Sequence, residues 1–228
     1  MTRIINIAGN SGAGKSIVAL NLGVALATQG RDVTLIDGNL YSPDIANYSD
    51  IKPEAFLNEY LEGQKSLDEI IHYHPSGLKV IPAIAENSHD EGKFHSLNKA
   101  LLHLVGKSEI VLVDSFSHSP SMFSVMANAD ETLFVTNDDF PSIIKTKEFV
   151  NKIEDKGLSV MGILLNKRMR TDKAHVESIV GKRVLAEFPY DKKMIEAINI
   201  KQPVYLSYPK SKISKSISDL AELLDVSK

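Results

Sequence analysis

Apolar residues recur along this chain in short unbroken runs, separated by longer stretches where they return every third or fourth position. Runs of strand character lie at Ile4 to Ala8, Asp32 to Ile36, Leu78 to Pro82, Glu109 to Asp114, Glu131 to Thr136, Leu158 to Leu165 and Arg183 to Phe188. Between them the helical period predicts helices from Ser16 onward and over Pro53 to Leu61, Phe94 to Val105, Pro141 to Lys156, Asp172 to Val180, Met194 to Ile200 and Ser214 to Leu224. Such alternation means βαβ crossovers and a parallel sheet. Ile-Val-Leu-Val at 110–113 and Met-Gly-Ile-Leu-Leu at 161–165 lack polar alternates, as strands covered on both faces do. The expected fold is α/β, a doubly wound, mostly parallel sheet with helices on both faces. Tyr41 to Gly77 is the least periodic segment, and its length predicts a functional, loop-like excursion above the sheet edge. No linker, repeat or low-complexity stretch divides the 228 residues, so one domain spanning 1–228 is expected.

Composition narrows the chemistry. A hydrophobic content of 43% suffices for a sizeable core, and a net charge of −3 offers no global field for nucleic acid or an anionic membrane. The absence of cysteine excludes disulfides, thiolate-held clusters, cysteine zinc sites and cysteine nucleophiles, and suits a reducing compartment. Met1-Thr2-Arg3 leads directly into a strand, and no apolar stretch has signal-peptide or membrane-spanning length. A cytoplasmic location is expected.

The strongest motif is Gly9-Asn10-Ser11-Gly12-Ala13-Gly14-Lys15-Ser16, a GxxxxGK[ST] match set between the first strand and the first helix. Glycines let consecutive N–H groups converge on one point, and the helix N-terminus adds the positive end of its dipole. Lys15 then reaches the β- and γ-phosphates and Ser16 ligates Mg²⁺, so ATP and Mg²⁺ are the expected ligands of this loop and the adjoining Ile17. The strands Val33 to Ile36 and Ile110 to Val113 each end in a carboxylate, Asp37 and Asp114, at the same crevice. Both are candidate metal ligands with Ser16, and Asp114 has the form of a Walker B aspartate. For either aspartate alone, a strand-end turn residue is the competing reading.

With these motifs in place, the chain resembles the MinD/ParA group of P-loop ATPases over nearly its whole length. The helix Ser16-Ile-Val-Ala-Leu-Asn-Leu-Gly-Val-Ala-Leu-Ala is similar to the family's first helix, and Asp37-Gly-Asn-Leu-Tyr-Ser-Pro-Asp to the switch I segment of archaeal MinD-like members. His74-Pro-Ser-Gly-Leu-Lys-Val-Ile-Pro-Ala, Ala129-Asp-Glu-Thr-Leu-Phe-Val-Thr, Gly162-Ile-Leu-Leu-Asn166 and Phe188-Pro-Tyr-Asp match its later strands and loops. The resemblance implies an ATPase that forms a homodimer when ATP is bound and works as a spatial switch in cell division or intracellular positioning. It also implies that Asn166 and the loop after Pro189 read adenine. Four positions depart from the pattern. Asn10 stands where a lysine crosses to the partner's nucleotide, and Asn39 where a second switch I aspartate orients the attacking water. His118 replaces the switch II glycine and Phe116 the proline after Asp-Ser. Lys15, Asp37, Asn39 and Asp114 remain the catalytic candidates, with hydrolysis expected to be slow.

The remaining signals are weaker. His72 and His74, with His89 and His95 further on, suit solvated loops better than a metal site. His118 has two readings, a γ-phosphate contact or a surface loop. The cluster Lys167-Arg168-Met169-Arg170 with Lys173 reads as the rim of the nucleotide pocket rather than a DNA contact. Ile213, Ile217, Leu220, Leu223 and Leu224 form a helical stripe expected to pack on the sheet, since Asp219, Glu222 and Asp225 oppose anionic lipid. No direct membrane anchor follows from it. The leading function is thus an ATP-operated dimerisation switch recruiting an unidentified protein partner. The alternatives are an ATP-dependent synthase or kinase of the same fold, and a nucleotide sensor that scarcely turns over. A thiolate-ligated iron–sulfur carrier is excluded by composition.

Overall fold

Alternating side chains along each central strand enter different cores, and this sets the architecture. In a computed structural model describing residues 2–85, 91–116 and 120–225 (backbone only for 91–96 and 120–121), the strands are β1 (Arg3–Gly9), β2 (Val33–Asp37), β3 (His72–Tyr73), β4 (Lys79–Ile81), β5 (Ile110–Asp114), β6 (Glu131–Asn137), β7 (Gly162–Arg168) and β8 (Val184–Pro189). They form one sheet in the order β3-β4-β2-β5-β1-β6-β7-β8, parallel except for the β3–β4 edge pair. The helices are α1 (Lys15–Thr28), α2 (Ile45–Ser49), α3 (Leu57–Leu61), α4 (Glu91–Leu104), α5 (Pro120–Ala127), α6 (Phe140–Glu154), α7 (Lys173–Val180), α8 (Lys192–Asn199), α9 (Val204–Ser207) and α10 (Lys212–Asp225).

Ile5, Ile7, Val33, Leu35, Ile110, Leu112, Leu133, Val135 and Leu164 point to the face covered by α1 and α10, where Leu20, Leu22, Leu26, Ile213, Ile217 and Leu220 meet them. The intervening residues point the other way. Ile36, Val111 and Val113 pack on Leu97, Leu101 and Leu104 of α4, and Phe134, Ile163 and Leu165 on Met122, Ile143 and Val150 of α5 and α6. Helix α1 is buried continuously from Val18 to Leu26 because the sheet lies on one side and α10 on the other. The expected doubly wound architecture is observed.

Several elements differ from expectation. Helix α5 was not among the helices expected from the sequence. Tyr41 to Gly77 holds α2, α3, a 3-10 turn at Asp68–Ile70 and β3, and buries Ile45, Leu57, Leu67 and Ile70. It is therefore a packed cap rather than a loop; the helix expected over Pro53 to Leu61 is present as α3, while the five residues of α2 are too few to display a period. Strand β7 begins at Gly162 and continues through Asn166 to Arg168, although Val160 is buried before it. Leu223, assigned to the packing stripe, is 47% exposed, and Ala221 takes its place in the core. Among the described residues no helix is long and apolar enough to cross a membrane.

Candidate functional site

The loop between β1 and α1 opens at the C-terminal edge of the sheet, where the chain order reverses across β5, β1 and β6. Two of its glycines are forced by close approach. Gly9 has φ +155°, and a Cβ there would lie 2.3 Å from the carbonyl oxygen of Val135; Gly14 has φ +87°, and its Cβ would meet the Asn166 Nδ2 at 2.7 Å. Helix α1 starts directly after Gly14, with no acidic residue in its first turn to neutralise its exposed N–H groups.

A cavity of about 750 Å³ faces this loop. Ser11, Gly12, Gly14, Lys15, Ser16 and Ile17 form one wall; Asn39, Ser42, Asp44 and Tyr48 form another, and Phe116, Lys167 and Ile198 complete it. The volume lies in the ordinary range of small-molecule sites. The other expected residues lie behind this lining. Gly9, Asn10 and Ala13 belong to the loop's inner side, Asp37 and Asp114 are fully buried, and Asn166 donates from Nδ2 to the Ala13 carbonyl at 2.7 Å. Pro189 ends β8 opposite Arg168.

Parallel pairing of β2 with β5 sets Asp37 directly beside Asp114, and the strand alternation directs both toward α1. Asp37 Oδ2 accepts from the Ile45 N–H at 3.0 Å and Oδ1 from the Asn39 N–H at 3.3 Å. Neither Asp114 oxygen has a partner at hydrogen-bonding geometry. Burial and then the neighbouring Asp114 push the Asp37 carboxyl well above the usual range, against the two N–H donors. Burial also raises Asp114 to about 6; the nearby Ser16 hydroxyl and Lys15 pull it down, and Asp44 pushes it up. Lys15 donates to the Asn10 carbonyl at 3.2 Å, and its pKa is lowered by burial, with Asp114 opposing. An orphaned buried carboxylate beside a second one, under a serine hydroxyl, is a donor set of hard oxygens that suits a cation. Among the described residues no group of three or more His, Cys, Asp or Glu could hold a metal. A Mg²⁺ that takes its remaining ligands from phosphate and water needs no such cage.

The departures noted in the sequence acquire definite surroundings. Asn10 is buried and turned inward: its Nδ2 donates to the Ser142 carbonyl at 3.0 Å and the Thr146 hydroxyl at 2.9 Å, tying the loop to α6. Asn39 is engaged with Ser42, donating to its carbonyl at 2.6 Å and accepting from its N–H at 3.2 Å. Phe116 packs on Tyr41, ring centroids 4.6 Å apart, which joins the β2 and β5 loops at the cavity's edge. His118 and His89 lie outside the described residues, as does the side chain of His95. His72 bonds the Ala55 carbonyl and His74 the Ser76 hydroxyl, so neither is arranged for a metal. Of the basic cluster, Lys167 lines the cavity, while Arg168 pairs with Glu187 and Lys173 with Glu177. Sequence reading missed Thr146, Tyr48 and Ile198, whose spacing carries no signal because each reaches the loop only through the fold.

The Pseudomonas aeruginosa antiactivator FleN is 25% identical over 234 residues, covering 95% of this chain and 84% of FleN. The septum site-determining protein MinD of Pyrococcus horikoshii, solved as a complex with Mg-ADP, superposes with a TM-score of 0.90 at 26% identity, covering 99% of this chain and 96% of that one. The Pyrococcus furiosus cell division ATPase MinD gives the same TM-score and identity, with 99% of each chain covered. The model of the CobQ/CobB/MinD/ParA nucleotide binding domain matches residues 4–204, from β1 through the phosphate loop and both strand-end aspartates to α9, and this chain belongs to that family.

Proposed function

We propose that this protein is a Mg²⁺-dependent ATPase that converts ATP and water slowly to ADP and phosphate, and acts as a nucleotide-dependent dimerisation and positioning switch. The observation that carries the reading is the buried Asp37–Asp114 pair, with both Asp114 oxygens orphaned, directly behind the phosphate loop. The N–H groups of Gly12 to Ser16 and the start of α1 bind the phosphates, and Lys15 exchanges the Asn10 carbonyl for phosphate oxygen. Ser16, Asp37 and Asp114 hold the metal. Bound Mg²⁺ supplies charge that offsets the carboxylates and the phosphate oxygens. Asn39 positions water but accepts no proton, and Asp44, half-buried on the same loop and lining the same cavity, is the carboxylate that can accept one. Asn166, whose amide braces Ala13, and the loop after Pro189 take the adenine.

The switch assignment follows the family's MinD members, with a second copy of this chain and a separate protein as partners. A nucleotide sensor with scarcely any turnover is the second reading, favoured by the commitment of Asn39 to Ser42. Light scattering with Mg-ATP and Mg-ADP, run beside phosphate release without any added acceptor, tests the proposal. Dimers with ATP alone and slow release support the switch. Monomers with both nucleotides and no release favour the sensor, and release only after a carboxylate acceptor is added indicates a synthase or kinase.

A further inference from the structure

Three large apolar side chains stand out of the surface on neighbouring loops beside the nucleotide cavity. Phe140 opens α6 after β6, Met169 follows β7 and Tyr190 follows β8, and they are 61, 70 and 52% exposed. Strands β6, β7 and β8 are consecutive in the sheet, so the three loops leave its C-terminal edge side by side. Hydrogen bonds tie them together. Asp138 Oδ2 accepts the N–H groups of Met169 at 2.5 Å, Arg170 at 2.9 Å and Thr171 at 3.3 Å, and the Tyr190 N–H donates to the Arg168 carbonyl at 3.0 Å. Asp139 caps α6 by accepting the Ser142 N–H at 2.8 Å, and Pro141 fixes the turn after Phe140. Apolar groups on rigid mounts have already met much of the ordering cost of an interface.

Charge and area together select the occupant. At roughly 200 Å² for a large side chain, the three show on the order of 350 Å² of apolar surface, nearly half of the roughly 800 Å² that each partner buries in a stable complex. The rim carries both signs. Asp139 and Arg170 are exposed, and among the described residues neither is in an ion pair, whereas Arg168 is matched by Glu187. An anionic lipid or nucleic acid would select cations alone. An apolar centre with one open charge of each sign is complementary to itself, since a two-fold axis passing between the two charges sets each against its opposite on the other copy. Asn10, committed to Ser142 and Thr146, sends no side chain across, so a second copy must be held by other contacts.

We propose that Phe140, Met169 and Tyr190 form the centre of a two-fold interface with a second copy of this chain, and that Asp139 and Arg170 pair across its rim. This rests on the dimerisation reading above and names the surface that carries it. Asn166 and Pro189 stand on the same β7 and β8 loops, which links the interface to occupancy of the cavity. Sedimentation velocity over a range of concentrations, with Mg²⁺ and a non-hydrolysable ATP analogue, is run on the unmodified protein, Phe140→Asp, Met169→Asp, Arg170→Glu and Leu102→Asp. Calorimetry of the analogue accompanies each, below the concentration at which the unmodified protein dimerises. Phe140→Asp places its charge in the first turn of α6, where the helix N-terminus favours it. Each substitution counts twice in a two-fold interface, so Phe140→Asp and Met169→Asp are each expected to weaken the dimer at least about 100-fold, and Arg170→Glu about tenfold. Leu102→Asp, exposed on α4 away from these loops, stays within about threefold, as does nucleotide affinity in every variant. A dimer of unchanged strength in Phe140→Asp, Met169→Asp or Arg170→Glu, an equal loss in Leu102→Asp, or lost nucleotide binding in the patch variants overturns the interface and leaves dimerisation itself standing. An unmodified protein that binds the analogue and stays monomeric overturns both.

Discussion

Replacing Asp114 by asparagine keeps the shape of a fully buried side chain and removes its charge, which makes its cost to the metal-free fold measurable. The Asp114 carboxyl is raised from 3.8 to about 6, chiefly by burial. The folded state thus holds a proton that the unfolded chain has released, and stability falls as pH rises through this interval. Asp37, raised for the same reason and by Asp114 itself, acts in the same direction. A shift of this size corresponds to about 3 kcal/mol of stability withheld at alkaline pH, most of it appearing between pH 4.5 and 8. Asp114→Asn does not titrate. In urea denaturation with EDTA, its stability relative to the unmodified protein is expected to rise by roughly 2 kcal/mol from pH 4.5 to pH 8. Millimolar Mg²⁺ with nucleotide reverses the order at pH 8, because the aspartate protein binds the Mg²⁺-nucleotide more tightly than the asparagine variant does. A stability difference that does not change with pH, or an asparagine variant that loses ground as pH rises, refutes the assignment of a buried, charge-stressed carboxylate.

Three further outcomes follow from the same geometry. Lys15→Ala removes the loop's own cation while the backbone cradle remains, and should weaken ATP binding on the order of 100-fold by calorimetry. Gly14→Ala forces a Cβ onto Asn166 at φ +87°, and is expected to cost at least about 2 kcal/mol in urea denaturation together with nucleotide binding. Asn39→Asp places a proton acceptor where the present amide holds Ser42, and should raise kcat about tenfold in a phosphate-release assay. That single change is cleaner than a double one with Asn10→Lys, since Asn10 is embedded against α6 and a lysine there would disturb the loop's anchorage.

What the sequence disclosed, and what it withheld, follows from the range over which each signal acts. The central strands were legible because unbroken apolar runs such as Ile110 to Val113 have few other ways to be buried. The loop was legible because its chemistry is local, contained in eight consecutive residues ending in Lys15 and Ser16. Pairing of Asp37 with Asp114 required the order of β2 and β5, which both strand ends suggested and neither specified. The inward turn of Asn10 depends on Ser142 and Thr146, more than a hundred residues away, so comparison with a motif left it as a substitution at an interface position. Lys167 was assigned to the pocket rim from its neighbour Asn166, yet its orientation depends on a bulge that composition does not encode. The five-residue helix α2 eluded periodicity for want of turns, and in α10 Ala221 rather than Leu223 faces the core.

The central claim is that the phosphate loop and the two buried aspartates form one Mg²⁺-nucleotide site. The most direct measurement is calorimetric titration of the unmodified protein with a non-hydrolysable ATP analogue, once with Mg²⁺ and once with EDTA, repeated on Asp114→Asn. The account predicts one nucleotide per chain, binding weakened about tenfold or more by EDTA, and an Asp114→Asn protein in which the two titrations nearly coincide. No binding, or binding equally strong with and without Mg²⁺ in the unmodified protein, contradicts it.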